Sequence, residues 1–426
     1  MAPLKLEGSL WRGLTGTTLG FFFGFSAVAL YGPTAAKFRE AMDLTPSMVG
    51  LLVAIPALTG SLLRIPFGAW VDITGGRKPF LMLLLLSFTG MLGITLLLKF
   101  TYPSGMHGMY GLILFFGMLS GCGIATFSVG IGQTSYWFPA SRQGMALGIY
   151  GGLGNLAPGL FSLILPVFLL HFGFISAYFA WTMFLLCGIV IYWFAGVNSY
   201  YFQYKKYGLS ENDSRNEAGK MGQQLFPSGN VKSSLLNSAG SINTWKLVLL
   251  YFTTFGGFIA LTAWFPVYWG DFHGYAPVKA GFYTAIFSLF ASAIRVAGGS
   301  VADRIGGERA SIISLSLVLA GSLLLVLTHT AILEIVSIVI LATGMGINNA
   351  AVFKLAPRYV PRAIGGAAGW IGGVGAFGGF VIPPILGDIV DAHGKKGYSE
   401  GFIIFTILSV ISLVVVSRLI RRSPSN

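Results

Sequence analysis

The chain has 426 residues, of which 54% are hydrophobic and only 10% charged, with a mean hydropathy of +0.76 and a formal net charge of +13. Soluble globular domains carry about 25% charged residues, so this composition excludes one and indicates a chain that crosses a membrane many times. In such a chain the positions of the charges matter more than their sum, and the basicity reads as membrane topology, not as a nucleic-acid surface.

Apolar stretches of roughly 18–25 residues recur from about 13–35 to 397–417, twelve in all, each long enough to cross a hydrocarbon core of ~30 Å as a helix. The first carries glycines and a proline, lacks a small-residue cleavage site and is followed at once by another span, so it reads as a mature helix and not a leader. The second, about 47–71, contains "GSLLRIPFGAWVD", with Arg64 well inside an apolar run. An arginine in a bilayer costs at least ~2.5–3.5 kcal/mol, so it needs a reason. Arg64 precedes Asp72 by eight residues, which puts it roughly 12 Å in from the helix end. The fifth span, "GMALGIYGGLGNLAPGLF", is rich in glycine; close helix packing and close backbone approach to a very small ligand both fit it. The longest polar segment, 199–245, follows the sixth span and reads as a cytoplasmic linker, dividing the chain into 1–198, 199–245 and 246–426. In the second half the eighth span carries Arg295, the tenth reads "GINNAAVFKL" and adds a third intramembrane cation, Lys354, and the eleventh is "GGAAGWIGGVGAFGGFVIPP". Lys354 either lines a path or snorkels to the cytoplasmic face.

The halves repeat. "RIPFGAWVDITGGR" (64–77) aligns without gaps on "RVAGGSVADRIGGE" (295–308), and "GIYGGLGN" (148–155) on "GWIGGVGA" (369–376). Arg64 thus matches Arg295, Asp72 matches Asp303, and Gly151, Gly152 and Gly154 match Gly372, Gly373 and Gly375. Two six-helix halves joined by a loop are the architecture of secondary transporters, with the substrate near the midplane between halves. The expected fold is all-α, with twelve transmembrane helices in two pseudo-symmetric halves. Both arginines are expected at the interface. All 14 acidic residues fall in loops or near span ends on this threading, so the missing counter-charge is expected to be a small anionic substrate. A guanidinium stays charged and presents a planar fork of donors, which suits a flat oxyanion.

With both termini cytoplasmic, Lys5, Arg12, Arg77, Lys78, Arg142, Lys205, Lys206, Arg215, Lys220, Lys232, Lys246, Arg304, Arg309, Arg358, Arg362, Arg418, Arg421 and Arg422 lie inside, against Lys37, Arg39, Lys99, Lys279, Lys395 and Lys396 outside, as the positive-inside rule requires. Cys122 and Cys187 sit in predicted helices, and the five histidines fall in outer loops, so neither a disulfide nor a metal site is expected. No Walker segment is present, and no enzyme activity or cofactor is expected.

"GAWVDITGGRKP" resembles the loop motif of the major facilitator superfamily between its second and third helices, and "GSVADRIGGERA" its degenerate copy between the eighth and ninth. Asp72, Arg77 and Asp303 are then expected to act at a cytoplasmic gate. "GGLGN" at 151–155, "GGVGAFGGF" at 372–380 and "AVFKLAP" at 351–357 resemble the signatures of the nitrate/nitrite porter family, and the similarity covers essentially the whole chain. The resemblance implies an ion held by Arg64 and Arg295 and flanked by the rings of Phe127, Tyr251 and Phe255, with Asn155 as the signature asparagine. Rings above and below a flat ion would leave its oxygens facing the donors. The chain departs from the family pattern at Asn348 and Asn349 and at Tyr150, which with Lys354 are candidates for the pathway or for coupling. The implied function is nitrate/nitrite exchange by a monomer in the cytoplasmic membrane. Proton–nitrate symport, transport of another small monoanion and a transporter-fold nitrate sensor are the alternatives.

Overall fold

The computed structural model describes residues 6–227 and 231–421. Lys5 and Arg422 lie outside the described residues, as do the side chains of Arg362 and Arg421. Among the described residues twelve helices are long and apolar enough to span a membrane: α1 (Leu10–Met42), α2 (Pro46–Thr74), α3 (Arg77–Thr101), α4 (Tyr110–Trp137), α5 (Gln143–Phe172), α6 (Phe174–Ala195), α7 (Ile242–Phe272), α8 (Pro277–Ile305), α9 (Gly307–Leu327), α10 (Ala331–Tyr359), α11 (Gly365–Glu400) and α12 (Ile403–Ile420). Several exceed the expected length, α1 at 33 residues and α11 at 36 the most. α1 and α7 are the most enclosed, with 83% and 89% of their apolar windows buried against 28% for α12, so they run through the centre.

Most of the helices around the two arginines are interrupted near mid-length, α11 at Gly375–Phe377 among them, whereas α8, which carries Arg295, runs unbroken from Pro277 to Ile305. α2 breaks at Leu63, immediately before Arg64, and α5 breaks at Asn155. α1 and α4 tighten to 3₁₀ turns at Ser26–Ala29 and Cys122–Ala125, and α7 widens to π turns at Phe252–Gly256 and Tyr268–Phe272. Such irregular turns cluster where helices bend or bind. The paired glycines of the repeat have a defined task at the ends of α2 and α8: Gly75 and Gly306 take φ of 76° and 88°, a backbone conformation that side chains disfavour, and so stop each helix sharply.

Both described ends of the chain lie on the side of the molecule where α2 ends at Asp72; this is the near side. On the far side the halves touch backbone to backbone. A Cβ on Gly32, Gly50, Gly281 or Gly387 would come within 2.1–2.4 Å of the carbonyl of Ala263, Pro383, Ser162 or Pro46 respectively, each on the opposite half. Arg39, expected in an outer loop, belongs to the last turn of α1 and forms a two-pronged pair with Asp271 of α7 (2.5 and 2.8 Å). Ser47 on α2 donates from its backbone to Asp391 and from its hydroxyl to Asp388, both on α11. The far side is sealed.

The segment read as a linker contains helices Tyr200–Lys206, Glu211–Lys220 and Val231–Ala239. The third packs against the start of α11, where Gly366 N donates to Ser234 Oγ (3.1 Å) and Trp370 Nε1 to the Leu235 carbonyl (3.0 Å).

Candidate functional site

A cavity of about 560 Å³ opens on the near side between the halves. Its deep end is made by Arg64, Phe127, Tyr150 and Arg295, and its mouth by Asp72, Gly144, Ser234 and Gly365. Arg64 follows the break in α2, which frees the Gly60 carbonyl to accept from its Nε at 3.0 Å; Nη1 donates to the Gly372 carbonyl of α11 at 3.1 Å. The side chain is buried, at 1% exposure, and Nη2 has no protein partner. Arg295 enters from α8. Its Nη2 donates weakly to the Tyr251 hydroxyl (3.4 Å), and its buried Nη1 has no protein partner. Each arginine thus keeps one guanidinium nitrogen uncommitted.

The rings do not stand as a sandwich. Phe127 and Phe255 stack on each other with centroids 5.8 Å apart and planes inclined by 26°. A flat ion between them would need roughly 7 Å, two van der Waals contacts of about 3.5 Å each. Instead both guanidiniums lie against both rings: Arg64 at 4.7 and 5.1 Å, Arg295 at 5.3 and 5.1 Å from the centroids of Phe127 and Phe255. With no carboxylate at this depth among the described residues, the negative ring faces partly offset two positive charges. Tyr251 stacks on Phe255 at 4.8 Å, and Phe21 and Phe25, which no motif pointed to, pack on Phe127 and Phe255 from α1. Tyr150 donates to the carbonyls of Thr126 and Phe127, both at 3.0 Å, and so fixes the turn that carries Phe127.

The structure brings some expected residues together and not others. Asn349 lines the cavity, with Oδ1 buried and unpartnered, whereas Asn348 turns into its own half and donates to Thr254 Oγ1 (3.2 Å). Asn155 is off the cavity lining; its carbonyl accepts from Ser292 of α8 (3.0 Å), and its buried Oδ1 has no protein partner. Lys354, open to two readings in the sequence, snorkels: it donates to the Ala302 carbonyl (2.9 Å) and pairs with Asp303 at the near end of α8, away from the arginines.

The paired glycines divide into three matched roles. Gly151 and Gly372 face open cavity, with nothing within 4 Å of a Cβ. Gly152 and Gly373 meet the opposite half, at Val296 and Ile65, each with an atom 2.6 Å from where a Cβ would stand. Gly154 and Gly375 make room for aromatic rings of their own half, Phe21 and Tyr251. The three residues expected at a gate make their contacts within their own halves. Asp72 accepts from Tyr136, Asp303 pairs with Lys354, and Arg77 donates to the Trp193 carbonyl (2.7 Å) beside the Trp193 ring.

Two pairs are not legible in the sequence. Arg39–Asp271 joins residues 232 apart, which no local pattern reveals. Glu334 does fall at a helix end, but it is fully buried and 2.6 Å from His273, a residue expected in an outer loop. A carboxylate inside the apolar run "AILEIVSIVI" is the signal for it.

Known proteins resemble this chain over most of its length. A "Probable nitrate transporter NarT" of Staphylococcus epidermidis is 28% identical over 406 residues, covering 95% of this chain and 96% of that protein. A "Probable nitrate/nitrite antiporter NarK1" of Thermus thermophilus is 28% identical over 407 residues (87% and 83%), and a "Nitrite extrusion protein" of Bacillus subtilis 28% over 399 (94% and 92%). Among solved structures, the partially occluded inward-open xylose transporter XylE from E. coli matches with a TM-score of 0.72 over 98% of this chain and 100% of its own, at 15% identity, a likeness of fold alone. Residues 17–383 match the profile of the Major Facilitator Superfamily. What these likenesses share with the internal repeat is the doubled six-helix plan of a transporter and not of an enzyme, and the chain belongs to the Major Facilitator Superfamily.

Proposed function

We propose that the protein is a secondary transporter of nitrate and nitrite that exchanges one ion for the other by alternating access. The observation that carries this reading is the pair of guanidiniums at the deep end of the cavity, Arg64 buried and Arg295 half-buried, each with one buried nitrogen that no protein atom satisfies. Buried charges without partners are costly, and a monoanion that accepts from both arginines satisfies both nitrogens and offsets one of the two charges. Planar forks suit a planar oxyanion better than a tetrahedral or bulky one. The names of the relatives from Staphylococcus, Thermus and Bacillus point to the same substrates.

Exchange follows from the charge. Rocking the halves with the site unliganded would move two positive charges through a low-dielectric closed state, and a bound monoanion lowers that cost. Lys354, held by Asp303, is a poor candidate for a proton carrier beside the arginines. The positive-inside pattern makes the near side cytoplasmic, with the protein in the cytoplasmic membrane and the cavity facing inward. The site is built within one chain, which suits a working monomer. Asp72, Arg77 and Asp303 then serve the cytoplasmic gate in the opposite conformation.

The test is counterflow in proteoliposomes at clamped pH and voltage. Labelled nitrate should accumulate transiently against internal nitrate or nitrite, while equal concentrations of acetate or formate inside should drive none. Concentrative nitrate uptake into liposomes holding neither ion, driven by a proton gradient, would overturn obligatory exchange.

A further inference from the structure

At the far end of the second half, one titratable cluster is buried outside the cavity. Glu334, in the first turn of α10, is 0% exposed, and its Oε2 lies 2.6 Å from Nε2 of His273, one residue past α7. The contact is close but poorly aligned as a hydrogen bond, and neither carboxylate oxygen has a well-placed protein donor. The Tyr268 hydroxyl, on the turn before His273, is also buried without a hydrogen-bond partner. The rings of Tyr268, Trp269, Phe272 and Tyr275 surround His273 with centroids 4.9–5.6 Å away. The His273 side chain is 13% exposed, which leaves a proton a way in from the far side.

Of the other charged or titratable groups around the cluster, Asp271 is paired away from it, and Lys279, Lys395 and His329 lie against the rings that surround His273. Asp271 of α7 is held by Arg39 of α1 and Tyr398 of α11. Lys279 of α8 lies over Tyr275 (3.7 Å), Lys395 of α11 over Phe272 (6.0 Å), and the His329 ring is 6.0 Å from Phe272. Among the described residues His273 is the one ion-pair partner of Glu334.

We propose that His273 and Glu334 form a proton-binding site, loaded from the far side, whose occupancy holds the far gate closed; the inference rests on the transporter reading above. With one proton between them the pair is neutral overall. Removing that proton leaves a carboxylate in an apolar cage beside a neutral imidazole, a costly state. Admitting water relieves it. The cover over Glu334 is the last turn of α7, the same π-helical turn, Tyr268–Phe272, whose Asp271 bridges to Arg39 on the other half. Deprotonation therefore favours the far-open conformation, and protonation favours the closed one described above. The proton acts as an effector of the gate and need not cross the membrane.

The experiment uses oriented proteoliposomes with pH set separately on each face and nitrate counterflow as the readout. Because a far-closed carrier cannot bind from that side, the apparent KM for far-side nitrate should rise as far-side pH falls, by at most about tenfold per pH unit for one linked proton. Near-side pH should leave that KM unchanged. Glu334→Gln and His273→Gln should each flatten the far-side dependence while counterflow persists, and His393→Gln, at the exposed pair with Glu400, should leave it as in the wild type. If Glu334→Gln does not fold, His273→Gln carries the comparison. A folded variant of either residue that keeps the wild-type pH profile overturns the proposal. Absence of nitrate counterflow in the wild type at every pH would instead overturn the transporter reading on which it rests.

Discussion

Arg64 commits two of its donors to the carbonyls of Gly60 and Gly372, one on its own helix and one on the opposite half, and still keeps a third nitrogen, at the deep end of the cavity, buried without a protein partner. Only a guanidinium has enough donors in one plane for this. Arg64→Lys keeps the charge but cannot hold both carbonyls and an ion, and Arg295→Lys loses the reach to the Tyr251 hydroxyl together with the free nitrogen. Charge-assisted hydrogen bonds contribute about 1.5–3 kcal/mol each, so each substitution should lower the nitrate transport rate roughly ten- to hundredfold at normal expression. Wild-type-like uptake by either variant would remove the proposed site.

Among the elements, the glycine-rich α5 and α11 show how one composition serves different ends. At Gly154 a Cβ would stand 1.9 Å from the Phe21 ring, and that ring is packed on Phe127 and Tyr150, so it has little freedom to retreat. Gly154→Ala should destabilise the purified protein by about 1–3 kcal/mol, the usual range for overpacking, seen as a lower melting temperature in detergent. Gly151→Ala, whose Cβ meets nothing within 4 Å, should leave the melting temperature close to that of the wild type. Equal destabilisation by the two would contradict the division of roles between packing and cavity.

The whole molecule is closed at one face and open at the other, and the closed face combines glycine-mediated backbone contact with the Arg39–Asp271 pair. Glycine contacts are specific to the docked arrangement but carry no charge, so the ion pair is the part a substitution can release without a steric change. With Cys122 and Cys187 replaced by alanine and Ala368→Cys introduced on the cavity wall, a membrane-impermeant thiol reagent reports near-side opening. Asp271→Asn should slow that labelling several-fold, since loss of a partly buried charged pair shifts the equilibrium toward the far-open conformation. Unchanged labelling would mean that the backbone contacts alone hold the face shut.

The repeat, the twelve spans and the two intramembrane arginines were legible in the sequence, because bilayer thickness fixes how long an apolar run must be and because a charge inside one stands out against it. The internal alignment even paired Gly75 with Gly306 and Gly151 with Gly372, and the structure gives each pair the same conformation or surroundings. What the sequence could not supply was anything that depends on which helix lies beside which. It leaves Lys354 between two orientations, and Asp303, 51 residues away in the chain, is what holds it in one. The family resemblance implies Phe127 and Phe255 as rings flanking an ion, and taken alone they read as core packing; in this conformation they stack on each other under two cations. The sequence counts Glu334 as a boundary residue, because hydropathy measures the composition of a segment and not the neighbours that cover it. Local pattern determines where a helix begins and what it can bury; only the packing of distant helices decides which charges meet and which are left facing the cavity.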